Sequence, residues 1–441
     1  MRNLLWLSLF LSISVSAQTP YLVKDINTTN ANLNAGLKSS SPAEFAALGD
    51  KIFFVATTDA AGTELWSTDG TSGGTKLVAD IVAGSGSSSP SLLRAVNGVL
   101  LFNARDVNHG IELWTSDGTA AGTHLLSDIS PGPTSSQPGA RIVYKNKMLF
   151  SADDGTNGRE LWVSDGTAAG TKMLADLNPG SASSFPAYFV QFGGSVYFCA
   201  TGGLWKTDGT AAGTVNVSST PGRFLTVAGS RLFFEGFTPE TGWELWTSDG
   251  TSAGTHMVTE IDPGTKGAFD SGYEVLGLTA AGDRVFFLAN DGVHGREMWV
   301  SDGTAAGTSM VRDFLPGAKG MWDTSNAFLT AFNGRAYFVA TDADHGSELW
   351  VTDGTDAGTH VFVDLAPGPA SSYPFNLTAV DGKLMFTAVI DSLSNQLIWI
   401  SDGTPEGTRR LDAADALGSN YGNTILSPAF WPIGGKVYFG G

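Results

Sequence analysis

A tryptophan followed by a Ser/Thr-Asp-Gly-Thr turn returns at near-constant intervals along this chain, and no other feature constrains the fold as tightly. The first copy reads ELWSTDGTSGGT, Glu64 to Thr75, and the tryptophans fall at Trp66, Trp114, Trp162, Trp205, Trp246, Trp299, Trp350 and Trp399. Their separations of 48, 48, 43, 41, 53, 51 and 49 residues lie in the range of propellers and repeat arrays. Such a period overrides the two or three unrelated domains that 441 residues would otherwise suggest.

Within one repeat the apolar run Leu92 to Val96 meets Asn97-Gly98, a dipeptide suited to a two-residue hairpin turn, and Val99 to Ala104 returns. Gly193-Gly194, Asn333-Gly334 and Asp381-Gly382 mark the same break. The loop RDVNHG leads to a third strand, IELWTS, then the turn DGTAAGT, a fourth strand, HLLSDI, and the linker SPGPTSSQP. Leu113 and Trp114 give the third strand two apolar faces, as a blade covered on both sides requires. The expected fold is all-β: a β-propeller of four-stranded antiparallel blades, eight of them with an imperfect terminal clasp, against a nine-bladed or truncated ring or a β-solenoid. The clasp would join a fourth strand at Leu22 to Ile26 with first and second strands around Lys436 to Phe439, leaving no third strand.

The spacing E-L-W-x-x-D-G-T-x-x-G-T resembles the ELWxxDGT repeat family of exported bacterial proteins over essentially everything after the amino-terminal segment. Six copies keep the core, with Met298 for Leu in one, while Gly203 and Leu397 replace the glutamate in the Trp205 and Trp399 copies. The resemblance implies export and fold more than activity.

The opening MRNLLWLSLFLSISVSAQ has one basic residue, an apolar run from Leu4 to Val15 and small residues around Ser16. It reads as a signal peptide cleaved after Ala17, so that residues 1–17 are a leader and 18–441 one repeat domain; a membrane anchor is the alternative, but the run is short and broken by serines. The protein is then expected to be exported, to the periplasm, the cell surface or the medium, with no membrane insertion after cleavage. Losing Arg2 takes the net charge from −18 to −19, which repels phosphate backbones, so nucleic acid is not expected as a partner. Cys199, in SVYFCA, is the only cysteine and reads as a small core residue.

In the Asp-Gly-Thr turn Asp69 can accept backbone N–H bonds, Gly70 and Gly74 supply positive φ, and Thr71 and Thr75 bond locally, so a structural role is expected. A second pattern carries charge. With the hairpin centred near Ser72, Glu64 faces Asp80, and the pairing recurs as Glu112 with Asp128, Glu160 with Asp176, Glu244 with Glu260, Glu297 with Asp313 and Glu348 with Asp364. Both acids are lost together at Gly203 with Ser219 and at Leu397 with Ala413. A shared Ca²⁺ or separate hydrogen bonds to loop amides would produce such paired loss. His109, His294 and His345, each before a glycine, read as turn residues, and no Ser-His-Asp or zinc spacing holds together.

Most linkers end in Ser-Ser-x-Pro, but PGTKGAFDSGY from Pro263 and PGAKGMWDTSNAF from Pro316 do not. They place Phe269, Tyr273 and Trp322 beside Asp270 and Asp323, with Trp243 in the preceding second loop, and this sector is the expected ligand side: sugar rings stack on aromatics while carboxylates accept their hydroxyls. The alternative is that these aromatics are local core. The resulting expectation is a monomeric binding or surface-interaction module for a polysaccharide or a surface protein. A glycan-acting hydrolase or lyase and an architectural envelope protein are the competing classes. No acid/base constellation breaks the repeat symmetry as a catalytic site would.

Overall fold

A computed structural model describes residues 10–14, 21–24, 26, 40–269, 277–317, 320–321, 329–389, 396–411, 430–433 and 436–440. Among them are nine sheets of four antiparallel strands and no helix. The fold is all-β and of the β-propeller class. Eight sheets are consecutive repeats, named here by their tryptophans; the Trp114 blade comprises Ser91–Val96, Val99–Asp106, Gly110–Ser116 and His124–Ser127 in sequential order. The ninth draws on both ends of the chain. Its order is Tyr21–Leu22, Phe10–Ser14, Lys436–Gly440, Trp431–Ile433. The third strand that the clasp lacked on paper is thus Phe10–Ser14, inside the apolar run Leu4 to Val15, whose alternating FLSIS suits an extended strand as well as it suits a signal segment.

The chain divides into two compact units. The first, Met1–Pro186 with Asp412–Gly441, holds the ninth sheet and the Trp66, Trp114 and Trp162 blades; the second, Ala187–Leu411, holds the other five. Within each, successive blades stack face to face. Phe53, Val55, Leu65 and Val78 of the Trp66 blade meet Leu93, Leu100, Phe102 and Trp114 of the next, while Leu113 turns the other way, toward Met148 and Phe150. The two-sided third strand is therefore buried on both faces, by about 25 cal/mol per Å² of apolar surface covered. First strands of neighbouring blades run beside each other, as Ala43–Leu48 does beside Ser91–Val96. Among the described residues seven of the repeat tryptophans have no hydrogen-bond partner at their buried Nε1, so there they contribute volume rather than a donor.

The Asp-Gly-Thr turn is a closed local network. Asp117 Oδ1 accepts from the Thr119 N–H at 2.8 Å and the Thr119 hydroxyl at 2.7 Å, and Thr119 Oγ1 accepts from the Gly122 N–H at 3.0 Å. These bonds, the hydroxyl's first, lower the Asp117 carboxyl below its ordinary value. Gly118 has φ +89°, as expected of its place. The second glycine differs from expectation: neither Gly74 nor Gly122 has positive φ, and both are required by contact, since a Cβ on Gly122 would lie 2.1 Å from Asp117 Oδ1. Gly122→Ala is expected to break the network and lower the thermal midpoint by a few degrees, whereas Ala121→Gly, which meets no such contact, shifts it less; differential scanning calorimetry on both variants checks this.

Candidate functional site

The hairpin register places Leu65 opposite Ala79, as the centre near Ser72 requires, then slips by a bulge so that Trp66 faces Leu77. Glu64 and Asp80 nonetheless part company, because Glu64 is fully buried and Asp80 exposed. Glu64 accepts from the Ile81 and Val82 amides at 3.3 and 3.4 Å, from the Ser88 amide at 2.8 Å and from its hydroxyl at 2.5 Å. Asp80 accepts from the Gly84 amide at 3.0 Å. The same division of partners holds for Glu112, bonded to Ile129 and Ser136, with Asp128 on Gly132, and for Glu348, bonded to Leu365 and Ser372, with the half-buried Asp364 on Gly368. Glu160 takes Leu177 and both groups of Ser184, while Asp176 is exposed. Among the described residues no three His, Cys, Asp or Glu side chains come together as a metal would need.

Both acids serve one linker. The glutamate fastens its far end, the aspartate caps its first turn, and the other serine of Ser-Ser-x-Pro accepts the third-strand N–H, as Ser135 Oγ does from Ile111 at 2.9 Å. Paired loss follows from this shared linker. In the Trp205 blade it shrinks to Ser219-Thr220-Pro221, and the fourth strand closes over Gly203, where a Cβ would lie 2.1 Å from the Ser218 carbonyl oxygen. The counterpart at Ala413 lies outside the described residues.

The two departing linkers bind their glutamates differently. Glu244 takes amides from Ile261, Asp262 and Ala268, with Glu260 on Gly264, but Ala268 brings no hydroxyl. Glu297 takes Phe314 at 3.3 Å, and its Oε1 and the Asp313 Oδ1 have no partner among the described residues. Burial pushes these two carboxyls up, to about 7 and about 8, with Asp313 adding to the second.

In place of the first serine Gly267 lies directly on Trp243, where a Cβ would stand 2.3 Å from its backbone nitrogen. Phe269 consequently departs from its expected surface role: it is 1% exposed, its ring 5.6 Å from that of Phe287. The residues at its position in ordinary linkers, Phe185 in the first unit and Tyr373 in the second, sit at φ +53° and +45° before proline and are 64% and 63% exposed. Phe269 lacks that positive φ and turns inward. Asp270, Tyr273, Trp322 and Asp323 lie outside the described residues. His109, His294 and His345 each bond through Nδ1 to the aspartate three residues earlier, at 2.8, 2.6 and 2.9 Å, as turn residues would.

Trp243 is half-buried and belongs to an arginine–aromatic constellation. The guanidinium of Arg223 stands 4.2 Å from the Trp243 ring centroid and 5.5 Å from that of Phe224, within cation–π range. Tyr188, 40% exposed, packs on Phe224 at 5.0 Å, and Phe237 on Trp243 at 5.4 Å. Behind Arg223 its Nε donates to Glu235 Oε2 at 2.6 Å; Glu235 is fully buried and its Oε1 has no partner among the described residues. Burial pushes this carboxyl up to about 7, against the pull of Arg223. The sequence signal was an acid in FFEGF where other second strands carry Val55, Leu288 or Val339. Asn103 occupies the same position in the Trp114 blade and is likewise met by an arginine, Arg141, at 2.6 Å. Such a surface can stack flat rings and donate to oxygen; it holds no nucleophile with a base.

No protein-family profile matches this chain, and no curated protein sequence matches it. Among solved structures it is similar to the computationally designed Ika8 protein, at 14% identity over 84% of this chain and 95% of that one with a TM-score of 0.41. It is similar also to puromycin hydrolase, at 15% identity, 80% and 58% coverage and a TM-score of 0.38. For the β-propeller domain of the Trilobed protease from Pyrococcus furiosus the figures are 9%, 87%, 99% and 0.36. The chain spans little more than half of the puromycin hydrolase chain.

Proposed function

We propose that this propeller is an exported binding module of the ELWxxDGT type whose ligand is a carbohydrate, held where Arg223 stacks on Trp243 beside Phe224 and Tyr188. The observation that carries the reading is that the Arg223 guanidinium stands 4.2 Å from the Trp243 ring and 5.5 Å from that of Phe224, with the buried Glu235 bonded behind it. Sugar rings offer apolar faces to aromatics and hydroxyl oxygens to a guanidinium, and Glu235 holds the guanidinium in place from behind. The leader composition supports export, and the acidic surface disfavours polyanions.

Purified protein passed over a panel of immobilised polysaccharides is expected to be retained on at least one without releasing soluble product. Trp243→Ala is expected to weaken that retention about tenfold, the worth of one ring stack. Product release would favour the glycan-acting enzyme, and retention on none would favour the architectural envelope protein. Equal retention by Trp243→Ala would move the ligand off this surface.

A further inference from the structure

Arg141 stands where other blades carry a core residue. Three residues past the linker proline, first strands elsewhere hold Phe45, Leu93 and Leu377, each packed on an adjoining sheet. In the Trp162 blade that place belongs to the half-buried Arg141, whose bonds among the described residues all end on neutral oxygens. Nε donates to the Gly139 carbonyl at 3.1 Å and Nη1 to that of Leu92 at 3.0 Å, while Nη2 donates to Asn103 Oδ1 at 2.6 Å and to the Pro138 carbonyl at 2.7 Å. Asn103 occupies the position that Glu235 has in its own blade but brings no charge.

A second arginine adjoins the first. Arg94 is exposed and donates through Nη1 to the Leu93 carbonyl at 2.7 Å, one residue along from the carbonyl that Arg141 holds. Glu44, on the preceding first strand, reaches the same place, but its Oε2 accepts the Leu92 amide at 2.8 Å. Leu92, at φ +55°, is thus gripped by an acid on its N–H and by an arginine on its carbonyl. Among the described residues neither Arg94 nor Arg141 is in an ion pair, whereas Arg223 bonds Glu235 and Arg312 bonds Asp356. Burial first, and then the like charge of Arg94, lower the Arg141 guanidinium to about 9, with Glu44 pulling the other way. These three side chains, all in the first unit, leave a positive excess in a chain of net charge −18. A guanidinium drawn out of water beside a like charge is costly unless an anion accompanies it.

We infer that Arg94 and Arg141 bind a small oxyanion, a carboxylate or sulfate group, beside Leu92 and Leu93. The guanidinium fork matches the oxygens of such groups, and Arg94 leaves most of its N–H donors to the ligand. The acidic chain turns polyanions away, which selects a single charged group. This site does not rest on the stack at Trp243.

Sodium sulfate at about 10 mM is expected to raise the thermal midpoint about 2 °C above that in sodium chloride of equal ionic strength. Arg94→Gln, at an exposed position, should fold normally and lose that increment. Arg141→Leu, which installs the residue other blades carry, should lose it too. Glucuronate and glucose identify the source of the oxyanion. Stabilisation by glucuronate but not by glucose points to a sugar carboxylate, and stabilisation by sulfate alone points to a free inorganic ion. Equal midpoints of the unaltered protein in sulfate, glucuronate and chloride overturn the proposal, as does an increment that survives in either variant.

Discussion

Glu112→Ala is expected to destabilise the protein by about 3–5 kcal/mol, the cost of leaving a buried polar network without its centre. The Glu112 side chain is fully buried and accepts from the Ile129 amide at 3.0 Å, the Ser136 amide at 2.7 Å and the Ser136 hydroxyl at 2.5 Å. Alanine strands three donors at once and opens a cavity between third strand and linker. Ser136→Ala removes one donor and leaves the carboxylate its amides, so about 1 kcal/mol is expected of it. The two substitutions should couple strongly, since they share one network. Urea unfolding of the two single variants and the double variant measures all three quantities; a Glu112→Ala loss below that of Ser136→Ala would refute the anchoring role.

The stability of the second unit is expected to fall as pH rises from about 4.5 to about 8. Glu297 and Glu244, buried without a serine hydroxyl, have carboxyls raised by desolvation to about 8 and about 7, and burial raises Glu235 to about 7. Unfolded, all three return to the ordinary value of 4.5. The folded chain therefore holds protons that the unfolded chain releases, and the stabilisation present below pH 4.5 is lost as pH climbs through the raised values. Glu297→Gln, which keeps the shape without the proton, should flatten the decline by on the order of 2 kcal/mol across that window. Thermal midpoints of both proteins between about pH 5 and pH 8.5 test this, and parallel curves would exclude Glu297 as the source.

The tryptophan period and the glycine turns made the blades legible because each is a local, repeated cause. The register of the Trp66 hairpin was readable as far as Leu65 and failed at the bulge, which no residue type announces. Phe10–Ser14 was hidden by its composition, since an apolar alternating run serves a leader and a strand equally well. At the candidate site Trp243 was visible as an aromatic in a departing sector, but Phe269 was misplaced because its exposure depends on a backbone sign set by Gly267 and the missing proline. Arg223 and Glu235 lie twelve residues apart on paired strands, and only the register brings them together. The meaning of Glu64 with Asp80 was open between a shared ion and separate amides. Each of them bonds to amide groups of one common linker, and that linker is shortened in the Trp205 blade where both acids are missing.

The separation between each anchoring glutamate and its serine, 24 residues in four blades, has a consequence for a polypeptide delivered through a pore amino terminus first. When the fourth strand of the Trp114 blade has emerged at Ser127, the carboxylate of Glu112 still lacks Ser136, nine positions behind it. Each of these four blades is thus left unlocked until the lead-in to its successor arrives, and in a chain delivered that way they would close as a series of delayed latches in the direction of travel.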